Sequence, residues 1–94
     1  MKVCFTLEAL NHIAGIHFFI QRLSPEAAMR IVARIFAEAE RIGKFPQIGH
    51  AGAVSGTHEW TVTDLPYVIV HELDTDKSQV VIIGVFHGAQ NRRG

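Results

Sequence analysis

The stretch Ile20-Gln21-Arg22-Leu23-Ser24-Pro25-Glu26-Ala27-Ala28-Met29 decides the fold. Ser24 can accept a hydrogen bond from a free amide of the next turn, and Pro25 suits the first helical position, where no N–H is needed. Before this junction Leu10, Ile13, Ile16 or His17, Ile20 and Leu23 recur every three or four residues, which predicts a helix of about four turns from Glu8. Gly15 weakens that helix by ~1 kcal/mol relative to Ala. Phe18 and Phe19 widen its apolar surface beyond one stripe, so it needs cover from the sheet and from a neighbour or partner. After the junction Met29, Val32, Ile35 or Phe36, Ala39 and Ile42 mark a second amphipathic helix. Arg30, Arg34, Glu38 and Arg41 form its wet side, where Glu38 can pair with Arg34 or Arg41. Gly43 is placed to end it. Two helices joined by about two residues form an antiparallel hairpin.

Working outward, Lys2 to Leu7 reads as a strand, with Val3, Phe5 and Leu7 on one parity. Residues 44–57 hold Pro46, Gly49, Gly52 and Gly56 and no sustained period, which predicts a loop. His58 to Thr63 alternates like a half-exposed strand. Tyr67 to Leu73 and Gln79 to Phe86 are almost continuously apolar and belong at the centre of a sheet. Asp64-Leu65-Pro66 and Asp74 to Ser78 supply the turns. The expected fold is α+β, in the order β-α-α-β-β-β: a helical hairpin packed on a small, mainly antiparallel sheet of four strands. It forms one domain over 1–94.

Composition narrows the function classes. The 94 residues are 48% apolar and 19% charged, as in a folded globular chain. No apolar run approaches the ~20 residues of a bilayer span, and the first residues lack a signal-peptide pattern, so a cytoplasmic location is expected. Cys4 alone can build no disulfide frame; a buried, inert thiol is expected there. Nine basic and nine acidic side chains cancel, leaving no general attraction to DNA or anionic lipid. The distribution is uneven. Residues 48–94 carry a net charge of −2, and no Lys or Arg lies between Lys44 and Lys77.

Six fragments in order carry a resemblance. They are Lys2-Val3-x-Phe5-Thr6-x-Glu8-Ala9-Leu10, Ser24-Pro25-Glu26-Ala27-Ala28, Phe45-Pro46-x-Ile48-Gly49, Gly56-Thr57-x-Glu59, Leu65-Pro66-Tyr67-Val68-Ile69-Val70, and Val80-x-Ile82-x-x-Val85-x-His87-Gly88-Ala89. The chain resembles the ParE branch of the RelE/ParE superfamily, the toxins of type II toxin–antitoxin modules associated with plasmid stabilisation. The resemblance implies a bacterial toxin held inactive by a cognate antitoxin. ParE-like members are associated with inhibition of DNA gyrase, RelE-like members with ribosome-dependent cleavage of mRNA.

The two activities differ in chemistry. Cleaving RNA through its 2′-OH requires a base, an acid and cations for the phosphorane charge. RelE-like members supply these from Lys and Arg on the sheet, with Tyr or His near the end. Here Val68 stands where many relatives have Arg, and His71-Glu72 where they have Tyr-Arg. His87 is the remaining catalytic candidate, with His58 and His71 as partners if the three strands bring them together; the plain alternative is that His87 closes a strand. No metal or other cofactor is expected: His12 and His17 sit roughly 140° apart on a helix, and the sheet histidines lack zinc-ligand spacing. Trp60 could stack a base or lie at an interface. Arg92 and Arg93 are candidates for docking on an acidic target, although Gln90 replaces the Arg that follows His-Gly-Ala in relatives. Phe18, Phe19, Trp60 and Val62 are candidates for the antitoxin surface. The expected action is binding to gyrase, the ribosome being the alternative target and a toxin reduced to antitoxin binding the third reading.

Overall fold

Two short side chains open the helices in the same way. In the computed structural model, which describes residues 1–88, the Thr6 hydroxyl accepts from the amide of Ala9 at 3.0 Å and the Ser24 hydroxyl from that of Ala27 at 3.2 Å. These caps satisfy amides that the first helical turn leaves unpaired. They start α1 (Leu7–Gln21) and α2 (Pro25–Lys44), with Pro25 in the first turn of α2 as its fixed φ favours. The amides of Leu23 and Ser24 both bond the Ile20 carbonyl, which closes α1 and turns the chain into α2.

The strands are β1 (Lys2–Phe5), β2 (His50–Ala51), β3 (Thr57–Thr61), β4 (Tyr67–Asp74) and β5 (Gln79–His87), in the spatial order β1-β5-β4-β3-β2. β1 runs parallel to β5, from Lys2 opposite Gln79 to Phe5 opposite Ile82; the other pairings are antiparallel. The expected α+β architecture is present, with five strands instead of four. The extra strand, β2, is two residues in the glycine-rich segment read as loop, and two residues cannot express a period. The nearly continuous apolar strands β4 and β5 are central, as their sequences require.

The core lies between hairpin and sheet. Ala9 and Ile13 of α1 meet Ile35, Ala39 and Ile42 of α2 over Ile69, Val80, Ile82 and Val85 of the sheet. Gly43 does not end α2, which runs on to Lys44. A Cβ there would stand 2.6 Å from Val3 Cγ2 and 2.9 Å from the Met1 carbonyl, so glycine is what lets β1 lie against the helix. Cys4 is half-buried, not fully enclosed, because β1 is an edge strand. The wet side of α2 also differs from expectation. Arg34 Nη2 donates to the Thr63 carbonyl at 2.6 Å, and Glu38 accepts from Trp60 Nε1 at 2.7 Å. These two side chains tie α2 to β3 and its exit instead of pairing along the helix.

Candidate functional site

α2 is amphipathic and turns Ala28, Ile35, Ala39 and Ile42 inward while Met29 and Phe36 of its apolar stripe stay exposed, whereas α1 is apolar around most of its circumference. Only Ala9 and Ile13 of α1 are fully buried. On its outer surface Leu7 is 73% exposed, Phe18 62% and Phe19 63%, followed by Leu23 at 80% just past the helix. An all-round apolar helix is stable when something covers it, and a run of exposed aromatic and Leu side chains marks an interaction surface. Phe18 and Phe19 therefore stand where a partner can reach them. Val62 does not. It is fully buried, with its amide bonded to the Tyr67 carbonyl and its side chain in the core, so it is withdrawn from the antitoxin surface. Trp60 packs half-buried against the same core with its indole N–H held by Glu38, so it joins helix to sheet and is no open platform for a base.

The strands do not bring the three sheet histidines together. His58 and His71 lie opposite one another on β3 and β4 with stacked rings, centroids 5.3 Å apart. His71 is wholly buried, and both its ring nitrogens and Nδ1 of His58 lack hydrogen-bond partners. Burial pushes the His71 pKa below the ordinary histidine value, and the neighbouring His58 adds to the shift; the Pro46 carbonyl opposes it without reaching hydrogen-bond geometry. His87 pairs with Tyr67, four residues from His71 along β4, a separation of roughly 13 Å at strand rise. A shared His58–His71–His87 site is thus corrected: the first two form a stacked pair in which His71 is buried and His58 half-buried, and His87 stands exposed at the other end of the sheet.

At that end a cleft of about 650 Å³ opens between α1 and β5, lined by His12, Gly15, Ile16, Phe19, Tyr67 and His87, among others. His12 has a role that its spacing in the sequence did not reveal. β1 stops at Phe5 opposite Ile82, and beyond it the Val85 amide of β5 donates to Nδ1 of His12 at 3.2 Å. The imidazole continues the ladder where the strand leaves off, which blunts an open sheet edge and fixes the proton of the neutral ring on Nε2. The Phe86 ring packs against His12 at 4.7 Å. The Tyr67 ring meets His87 edge-on at 5.9 Å, and burial raises its phenol pKa. Among the described residues no Lys or Arg lines the cleft.

Three of the five strands are equally poor in cations. β3, β4 and β5 contain no Lys or Arg. Glu59 turns toward β2 and its flanking loop, accepting from the Ala53 amide at 3.3 Å and lying 3.6 Å from His50 Nε2; Glu72 is exposed. Among the described residues no group of three or more His, Cys, Asp or Glu is placed to hold a metal, and no helix is long and apolar enough to cross a membrane. Arg92 and Arg93 lie outside the described residues.

A helical hairpin on a mixed sheet recurs among solved structures. The fold is shared with the chromosomal ParDE system of P. aeruginosa (TM-score 0.75, 18% identity, 93% of this chain and 95% of that one). It is also shared with a YoeB/ParE toxin from Agrobacterium tumefaciens (0.63, 18%, 93% and 98%) and with the intact E. coli RelBE toxin–antitoxin complex (0.57, 14%, 89% and 92%). In sequence, residues 3–92 match the family described as the ParE toxin of the type II toxin–antitoxin system parDE. Y4kP of Sinorhizobium fredii, a protein named as a toxin, is 33% identical over 95% of this chain and 90% of its own length. The chain belongs to the ParE toxin family.

Proposed function

We propose that the chain is the toxin of a type II toxin–antitoxin pair that acts by binding its target, DNA gyrase, without cutting RNA, and that an antitoxin neutralises it by covering α1. The observation that carries the binding reading is the absence of Lys and Arg from β3, β4 and β5 together with the acids Glu59 and Glu72. A surface that stabilises a pentavalent phosphorane needs positive charge aimed at its oxygens, and one that holds an RNA backbone needs cations for its phosphates. β3, β4 and β5 offer neither; Lys2 lies in the edge strand β1. The antitoxin part rests on the exposed Leu7, Phe18, Phe19 and Leu23; disordered segments that fold on a partner as a helix are suited to such a surface. Gyrase is drawn from the ParE family to which the chain belongs.

The rival reading, a ribosome-dependent ribonuclease, draws on His87, exposed at the rim of the cleft beside Tyr67. An imidazole there could pass a proton to a leaving oxygen, yet among the described residues no cation lines the cleft with it. A gyrase supercoiling assay tests the proposal. Supercoiling should fall as the chain is added in proportion to gyrase, and recover when the protein encoded beside it is added. Full supercoiling at a large molar excess of a folded chain overturns the assignment of gyrase.

A further inference from the structure

The outer line of α1 is self-complementary about Gly15. Glu8, Gly15 and Arg22 stand seven residues apart, so they follow one line along the helix with a drift of only ~20° per step. All three are exposed, and neither Glu8 nor Arg22 has an ion-pair partner among the described residues. A two-fold axis through Gly15, perpendicular to α1, sets Glu8 of one copy opposite Arg22 of the other, and does so twice. The same axis sets Leu7 against Leu23, Asn11 against Phe19, and His12 against Phe18. Leu7 and Leu23 then meet apolar counterparts, Glu8 and Arg22 opposite charges, and the Phe18 and Phe19 rings the side chains of His12 and Asn11, residue i facing j and j facing i as an isologous interface requires.

Gly15 makes the close approach possible. A Cβ there would find nothing within 4 Å, so the glycine is not required by packing inside the chain. It sits in mid-helix, where glycine is unfavourable, at the floor of the cleft beside His12 and Ile16. Helices that cross at a residue without a side chain can approach at the short end of the ~8–10 Å range. The cleft then receives Phe18 of the second copy. Leu7, Phe18, Phe19 and Leu23, exposed by 62–80%, together offer roughly 500 Å² of apolar surface, with aromatic side chains counted at 150–250 Å² each. Polar atoms at the rim bring this toward the ~800 Å² per partner of a stable interface.

We propose that the chain, when no other protein covers it, forms a two-fold dimer through antiparallel α1 helices crossing at Gly15, with reciprocal Glu8–Arg22 ion pairs. A partner that needs α1 competes with this dimer. The inference stands apart from the choice of target, since it concerns the chain alone.

Sedimentation equilibrium of the isolated chain tests it, with circular dichroism and thermal melts reading the fold of every variant. The wild type should sediment at twice its 10.4 kDa. Glu8→Arg and Arg22→Glu, each of which faces like charges across the axis, should weaken the dimer at least tenfold. Combining them restores opposite charges and should restore the dimer. Gly15→Leu, which fills the crossing point, should abolish it without unfolding the helix. A folded wild type that stays monomeric at ~100 µM, or a dimer indifferent to both charge reversals, overturns the proposal. So does a chain that is monomeric alone and associates only with a foreign protein.

Discussion

The two helices start alike and finish differently. Thr6 and Ser24 cap them by the same hydrogen bond, and each places an apolar stripe on the same core. The outer surface of α2 carries Glu26, Arg30, Glu40, Arg41 and Lys44 beside the exposed Met29 and Phe36, while that of α1 carries Leu7, Leu10, Phe18 and Phe19 beside Glu8, Asn11 and Gln21. α2 is also tied to the sheet region through Arg34 and Glu38, whereas His12 gives α1 its bond to the sheet. The difference separates two uses of burial. α2 is held to the sheet region from its polar side as well as through the core; α1 shares its inner residues with that core and leaves Leu7, Phe18 and Phe19 exposed.

Substitutions can break this contrast. Phe18→Asp with Phe19→Asp should weaken antitoxin binding by about 100-fold or more, as loss of aromatic anchors does, while the melting temperature, compared at a dilution where the wild type is monomeric, holds or rises; a large drop there would show α1 to be structural on both sides. Ile35→Ala, on the inner face of α2, should do the reverse. It removes a fully buried side chain and should cost about 2–5 kcal/mol by chemical denaturation, with the partner surface left in place.

Acid tests the region where α2 delivers the chain to the sheet. The folded-state pKa of His71 lies below its unfolded value, so its contribution is fully present above about pH 6.5 and is lost as pH falls. Stability should drop below that pH with a limiting slope of about 1.4 kcal/mol per unit for one proton. His71→Leu should flatten that limb in urea melts, and an unchanged limb would assign the acid sensitivity elsewhere. The smallest effect concerns the tie between α2 and β3. Trp60→Phe keeps an aromatic ring but removes the five-membered half of the indole with the N–H that Glu38 accepts, at an expected cost of about 1–2 kcal/mol for the hydrogen bond besides the lost packing. Glu38→Gln, which keeps an acceptor, should cost less.

Much of this architecture can be read from the sequence because its signals are local. Ser24-Pro25 separates two helical periods, and the apolar runs 67–73 and 79–86 identify the central strands. Periodicity cannot report a two-residue strand such as β2. Nor can it show that Gly43 is chosen for the approach of Val3, since that contact joins segments forty residues apart. The candidate site was legible in part. Phe18 and Phe19 exceed what one apolar stripe needs and are exposed. Alternation put Val62 and Trp60 on one face without telling which face the helices cover, and they cover this one. His58 and His71 face each other by register, which a list of histidines does not contain. His12 gave no signal, because its role depends on where β1 stops.

Mapping the ends of mRNA in a translating extract that receives the purified chain tests the central claim, action by adhesion without phosphate chemistry. The account predicts intact transcripts, identical for wild type and His87→Ala. New fragments ending in 2′,3′-cyclic phosphates, present with the wild type and lost with His87→Ala, would contradict it.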